Sequence, residues 1–273
     1  MANGLPQYDA PPVIETVLSA QFSRLPSFTV AHAGSFWKTY LDATWTSVQE
    51  ATRLPDVFER FGGDRSWRQH EFRLVPAGTE PMRLQILRED QERMVQVQDS
   101  RFIQNWRKRD HGYPSYRKLV PEFRESFERF ERFARDAKLG PIEINQWEVT
   151  YVNVISRGEL WQTPQDWNSI FPWFISPVVG LREIDVLDGF PGGEWSFTLF
   201  DQVGRLFVSL AQVKVGSADG PEVLTFQLTA RGPIQSDRGI DLYKGFDLAH
   251  EAIVRAFTAM TSKKAHDFWK RKQ

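Results

Sequence analysis

The sequence predicts an α+β protein built from a duplicated strand-helix-(three or four strands)-helix unit, with antiparallel sheets and helices packed on one face. Three observations lead there. Short segments of alternating apolar and polar residues fall between two strongly amphipathic helical stretches. The stripe Phe123, Phe127 and Phe130 superposes on Ile253, Phe257 and Met260 at a shift of about 130 residues, and Glu15-Thr16-Val17-Leu18 matches Glu148-Val149-Thr150-Tyr151 at nearly the same shift. The order strand, helix, strands, helix then occurs twice, which divides the chain into halves at 1–140 and 141–273 packed as one unit. One long curved sheet and two separate domains are both compatible with that order.

The first strand follows Pro11-Pro12 over 13–22, with Ile14, Thr16, Leu18, Ala20 and Phe22 on one face. From Ser35, the positions Trp37, Leu41, Trp45 and Val48 recur at helical spacing, so a helix is expected through that stretch until Pro55 and Gly62-Gly63 break it. Alternating segments at 67–75, 83–87, 94–98 and 101–106 read as an antiparallel meander. The strongest helical pattern runs over 114–138, where Phe123, Phe127, Phe130 and Phe133 form a stripe among Arg and Glu, and Gly140-Pro141 ends it. In the second half a strand is expected over 144–155, a short helical segment after Thr163-Pro164, strands at 195–200, 205–213 and 223–231, and a last helix carrying Phe246, Ala249, Ile253, Phe257 and Met260.

If helices cover one sheet face, alternation decides what the other carries. Gln96 and Gln98 oppose Val95 and Val97; Thr225, Gln227, Thr229 and Arg231 oppose Leu224, Phe226 and Leu228. That polar set of amides, hydroxyls and an occasional Arg suits hydrogen bonding to backbone amides better than holding phosphates. A merely solvated face is the simpler reading of the same pattern.

Composition bounds the chemistry. The 273 residues are 41% hydrophobic and 25% charged, with 34 Lys+Arg against 35 Asp+Glu and a net charge of -1. Such balance makes nucleic acid an unlikely partner. Zero cysteines exclude disulfides and thiolate metal sites and are compatible with a cytoplasmic location. Residues 1–12 have neither the basic nor the apolar region of a signal peptide, and no apolar run is long enough to span a membrane. No zincin pair, phosphate-binding loop, dinucleotide glycine fingerprint or serine elbow occurs. The five histidines lack metal-ligand spacing; His250, beside Asp247 and Glu251, reads as surface, and His70 is the one histidine inside a strand segment. Carboxylates such as Asp90 and Asp99 fall in turns, where they cap backbone amides, and 188–193 reads as a turn rather than a phosphate loop. No catalytic residue, metal ligand or cofactor is assigned.

The segment 99–109 with Tyr113-Pro114-Ser115-Tyr116 is the least ordinary stretch, combining Arg, Asn, Trp and Tyr at a strand end and loop. A structural role, with Trp106 filling the gap between sheet and long helix, stands beside a recognition role. Here the chain resembles a sporadically distributed bacterial family of uncharacterised proteins of similar length. Pro11-Pro12-Val13-Ile14-Glu15, Arg101-Phe102, Asn105-Trp106-Arg107, Tyr113-Pro114-Ser115-Tyr116 and Tyr151-Val152-Asn153 carry the resemblance, over about the first 155 residues. It implies a relation to the non-catalytic peptide-binding proteins of crocagin-type ribosomal peptide biosynthesis, whose partners are a precursor peptide and its modifying enzymes.

The leading expectation is therefore a peptide-binding protein, with Gln96, Gln98, Arg101, Asn105, Trp106 and Tyr113 near the site. The peptide adds to a sheet edge or lies across the open face. A protein-interaction role in phage defence or toxin control, and an enzyme with a cleft between the two halves, are the alternatives. The aromatic content leaves room for a homodimer.

Overall fold

Thr16, Leu18, Ala20 and Phe22 alternate with Glu15, Val17, Ser19 and Gln21 along β1 (Val13–Phe22), and a computed structural model places this strand at the centre of a nine-stranded sheet. The structure describes residues 4–61, 82–174, 192–217 and 219–272. After β1 come α1 (Val30–Tyr40), the meander β2 (Trp45–Thr52), β3 (Met82–Arg88), β4 (Arg93–Gln98) and β5 (Arg101–Arg107), and the long α2 (Tyr116–Asp136). The second half supplies β6 (Ile144–Ser156), a 3-10 turn at Pro164–Ser169, β7 (Gly192–Thr198), β8 (Arg205–Lys214), β9 (Glu222–Pro233), α3 (Leu242–Met260) and α4 (Lys263–Phe268). The order across the sheet is β2-β3-β4-β5-β1-β6-β9-β8-β7, and every adjacent pair is antiparallel.

The helices lie on one face. Phe123, Phe127, Phe130 and Phe133 of α2 are all buried; the ring of Phe102 on β5 stands 5.6 Å from Phe123 and 5.4 Å from Phe127, and Phe22 on β1 stands 5.8 Å from Phe130. α3 lays Phe246, Ala249, Ile253 and Phe257 over β6 and β9. Trp147 of β6 occupies a slot bounded by Gly204, Gly232 and Gly245, where a side chain on any of the three would enter the indole. Burying rings of this size supplies most of the cohesion between helix and sheet layers.

Two expectations change. The helix expected through Val48 ends at Tyr40, and Trp45 begins β2. Asp42 accepts both the amide and the hydroxyl of Thr44, which fixes a turn, and β2 then pairs with β3 from Trp45↔Arg88 to Thr52↔Met82. Long-range pairing thus overrides helical spacing. At the other end, α1 starts at Val30, five residues before Ser35, because the Thr29 amide donates to Nδ1 of His32 and closes the first turn. The strand expected over 67–75 lies outside the described residues, and α4 is too short to have produced a periodic signal. No helix among the described residues is long and apolar enough to cross a membrane.

Candidate functional site

The sheet face away from the helices is built by strand register. Gln98 of β4 stands opposite Arg101 of β5, Arg101 opposite Gln21 of β1, and Gln21 opposite Gln146 of β6, so one row of polar side chains crosses four strands. The next row holds Gln96, Ile103, Ser19, Glu148 and Arg231. Amides link up across the face: Gln85 donates to Gln96 (3.0 Å), Gln96 to Asn105 (2.7 Å) and Asn105 to the Glu15 carboxylate (2.7 Å). Thr150 and Thr229 share a hydroxyl hydrogen bond of 2.8 Å. Around the first row the face is polar and nevertheless buried, with Gln98 0% and Arg101 5% exposed, whereas Thr225 is half-buried and Gln227 exposed in the second half. Ser19 Oγ and Arg101 Nε are buried with no hydrogen-bond partner among the described residues, so the face retains unused hydrogen-bonding capacity.

Across the first row runs a strap of the chain itself, residues 53–61, which belongs to no helix or strand. Three glutamine side chains hold its backbone. The Leu54 amide donates to Gln98 Oε1 and the Leu54 carbonyl accepts from Gln98 Nε2, both at 3.0 Å. Gln21 repeats the arrangement at Val57, with both bonds at 2.9 Å. Gln146 accepts from the Glu59 amide at 3.2 Å and donates to the Val57 carbonyl. A carboxamide can do this because it presents a donor and an acceptor side by side, as a neighbouring strand would. The spacing also fits: β4 to β6 spans three strand separations, about 14 Å, and the five steps from Leu54 to Glu59 reach at most about 17 Å.

Two carboxylates of the strap are held by cations. Asp56 accepts from Arg53 (2.7 Å), Arg24 (2.9 Å) and Ser100 (2.6 Å). Burial pushes its carboxyl up, but the bonds from Ser100, Arg53 and Arg24 outweigh this and hold it below its ordinary 3.8. Glu59 lies between Arg231 (2.7 Å) and Arg205 (3.0 Å). Arg101 reaches the Pro55 carbonyl (3.3 Å), Gln21 (2.6 Å) and Glu148 (3.5 Å). Burial lowers its pKa and the carboxylates of Glu148 and Asp56 counter this; a guanidinium remains charged throughout.

Of the six residues singled out in the sequence, Gln96, Gln98, Arg101 and Asn105 come together on this face. Trp106 and Tyr113 do not join them. Trp106 pairs with Thr16 in register, is 1% exposed and lies 5.3 Å from Tyr113, on the helix side. There the Tyr113 and Tyr151 hydroxyls meet at 2.9 Å, Tyr151 reaches His250 Nδ1 at 2.9 Å, and Tyr116 stacks on His250 at 4.0 Å while donating to Asp247. His250 is therefore half-buried between two tyrosines, Tyr116 and Tyr151, rather than the surface residue expected; burial outweighs Asp247 and Glu251 and brings its pKa from 6.5 down to about 4. Burial likewise pushes Tyr113 up to about 12.

Sequence reasoning missed Gln21, Gln146, Asp56 and Glu59. Gln21 and Gln146 were accessible through the same alternation that exposed Gln96 and Gln98. Asp56 and Glu59 lie in a segment without periodicity, which carried no signal. Of the two acidic turn residues, Asp90 caps the Glu92 amide (2.9 Å), whereas Asp99 pairs with Arg53 (2.7 Å). His70 and residues 188–191 lie outside the described residues. Among the described residues no three His, Asp or Glu side chains are placed to share a metal ion. Two open depressions, one around Arg157, Lys214 and Asp219 and one around Arg132 and Arg135, lie apart from the glutamine row. No protein-family model and no curated protein matches this sequence.

Proposed function

We propose that this protein is a non-catalytic peptide-binding protein whose polar sheet face captures an extended peptide segment. The observation that carries the reading is the strap: the row Gln98, Arg101, Gln21 and Gln146 already holds an extended backbone through paired amide contacts. The occupied place is the face, which favours capture across the strands over addition to an edge. Gln96 and Asn105 extend the same polar surface, and Trp106 and Tyr113 brace it from behind. The resemblance to the crocagin-type peptide-binding proteins supports a precursor peptide as ligand and its modifying enzymes as further partners. The strand order supports descent from a duplicated unit, since β1, β5, β4 and β3 run outward on one side as β6, β9, β8 and β7 do on the other.

The test is a titration of the purified full chain with the short peptides encoded beside its gene, followed by tryptophan fluorescence and mass spectrometry. Saturable binding at micromolar concentration, unchanged peptide mass, and a loss of about tenfold in affinity for Gln96→Ala/Asn105→Ala with the fold intact are expected. A change in peptide mass, or binding indifferent to these substitutions, would contradict the reading.

A further inference from the structure

The strap is held in a way that differs from the rest of the chain. Its ties are mainly hydrogen bonds and ion pairs; apart from the side chains of Glu59 and Arg53, 8% and 9% exposed, its residues are half-buried or exposed, and Phe58 is 56% exposed. The surface beneath it is buried, polar and not fully satisfied, since Arg101 Nε lacks a partner among the described residues. A segment fixed by exchangeable polar contacts, with little apolar burial, belongs to the parts of a protein that open at least cost. Two of its contacts are specific in chemistry and spacing: a carboxylate at Asp56 in the Arg53, Arg24 and Ser100 cluster, and a second carboxylate three residues on, at Glu59 between Arg205 and Arg231.

We propose that residues 54–59 are a built-in occupant of the peptide site, and that its ligand class is an extended peptide with two carboxylates three residues apart that takes the strap's place. This rests on the peptide-binding reading and adds to it both the ligand's charge pattern and a competition that sets the affinity. The backbone of such a ligand meets Gln98, Gln21 and Gln146, and its carboxylates meet Arg24 at one end and Arg205 with Arg231 at the other. Arg53, which belongs to the strap, leaves with it. A free peptide then competes with a tethered one whose effective concentration is on the order of millimolar, so the apparent affinity falls by the fraction of molecules in which the strap is released.

The test uses two synthetic peptides, one with the sequence of residues 54–61 and one with Asn and Gln at its acidic positions. Each is titrated by calorimetry against the wild-type chain and against Asp56→Asn/Glu59→Gln, whose strap has lost both charges. The acidic peptide is expected to bind this variant at least about tenfold more tightly than wild type, and at least about tenfold more tightly than its neutral counterpart. A second measurement needs no variant. At millimolar acidic peptide, the Leu54, Val57 and Glu59 amides of the wild-type protein should exchange hydrogen faster than in the free protein. Equal binding of both peptides, or unchanged exchange at those three amides while the peptide is bound, overturns the proposal and leaves peptide capture elsewhere on the protein standing. Absence of binding by the acidic peptide to either protein also overturns it; binding of the gene-neighbour peptides would then decide separately whether the polar face is a peptide site.

Discussion

Gln21 shows how much one side chain does on this surface. Its carboxamide pairs with both backbone groups of Val57, donates to Asn145 (2.9 Å) and accepts from Arg101 (2.6 Å). Gln21→Ala therefore removes the shortest contact of Arg101 and frees the Val57 amide, leaving the Val57 carbonyl to Gln146, and denaturant unfolding should show a loss of about 1–3 kcal/mol. Unchanged protection of the Val57 amide in that variant would mean the strap is held by something else. His250 makes a different prediction. Its folded-state pKa, about 4, lies below its ordinary 6.5, so the unfolded chain takes up a proton that the fold refuses. Stability is then complete above pH 6.5 and falls as pH drops towards 4, by at most about 3 kcal/mol at 1.36 kcal/mol per unit. His250→Phe retains a ring against Tyr116 and should flatten that slope; a slope as steep as that of wild type would assign the acid sensitivity to other groups.

At the scale of elements, the strands and the long helices were legible because alternation and the phenylalanine stripe report directly on burial. The β4 alternation even separated Gln96 and Gln98 from the core. What stayed hidden is set by pairing between distant residues. β2 carries helical spacing and folds as a strand because β3 lies beside it, and the strap gains its place only when β4, β1 and β6 align three glutamines in one row. Packing of α3 is equally a matter of distant partners: Gly245→Ala drives a methyl into Trp147 and should cost about 1–3 kcal/mol in thermal unfolding. A full-stability variant would show that the helix can shift outward. The strap itself should respond to acid through Asp56. Because the folded pKa lies below 3.8, its contribution is present above that value and lost as pH falls through the folded one. Asp56→Asn removes the charge at neutral pH, so chymotrypsin should cut after Phe58 faster than in wild type; equal rates would show that the charge does not hold the strap.

For the whole molecule, the sequence identified an α+β protein with one polar sheet face, and four of the six residues singled out stand on that face. Trp106 and Tyr113 were grouped with them by closeness in sequence, yet strand alternation sends Trp106 to the opposite side, where it packs with the tyrosine that follows β5. The missing half of the site came from β1, β6 and a loop far apart along the chain, a kind of convergence that periodicity cannot report. Under the proposed function this face, rather than a sheet edge or a helix surface, receives the peptide. The most direct measurement follows the side-chain amide signals of Gln21, Gln96, Gln98, Asn105 and Gln146 by nuclear magnetic resonance while a peptide encoded beside the gene is added to the isotopically labelled full chain. Shifts concentrated on those five carboxamides are predicted. Shifts confined to the edge strands β2 and β7, or to the exposed sides of α2 and α3, would contradict the account.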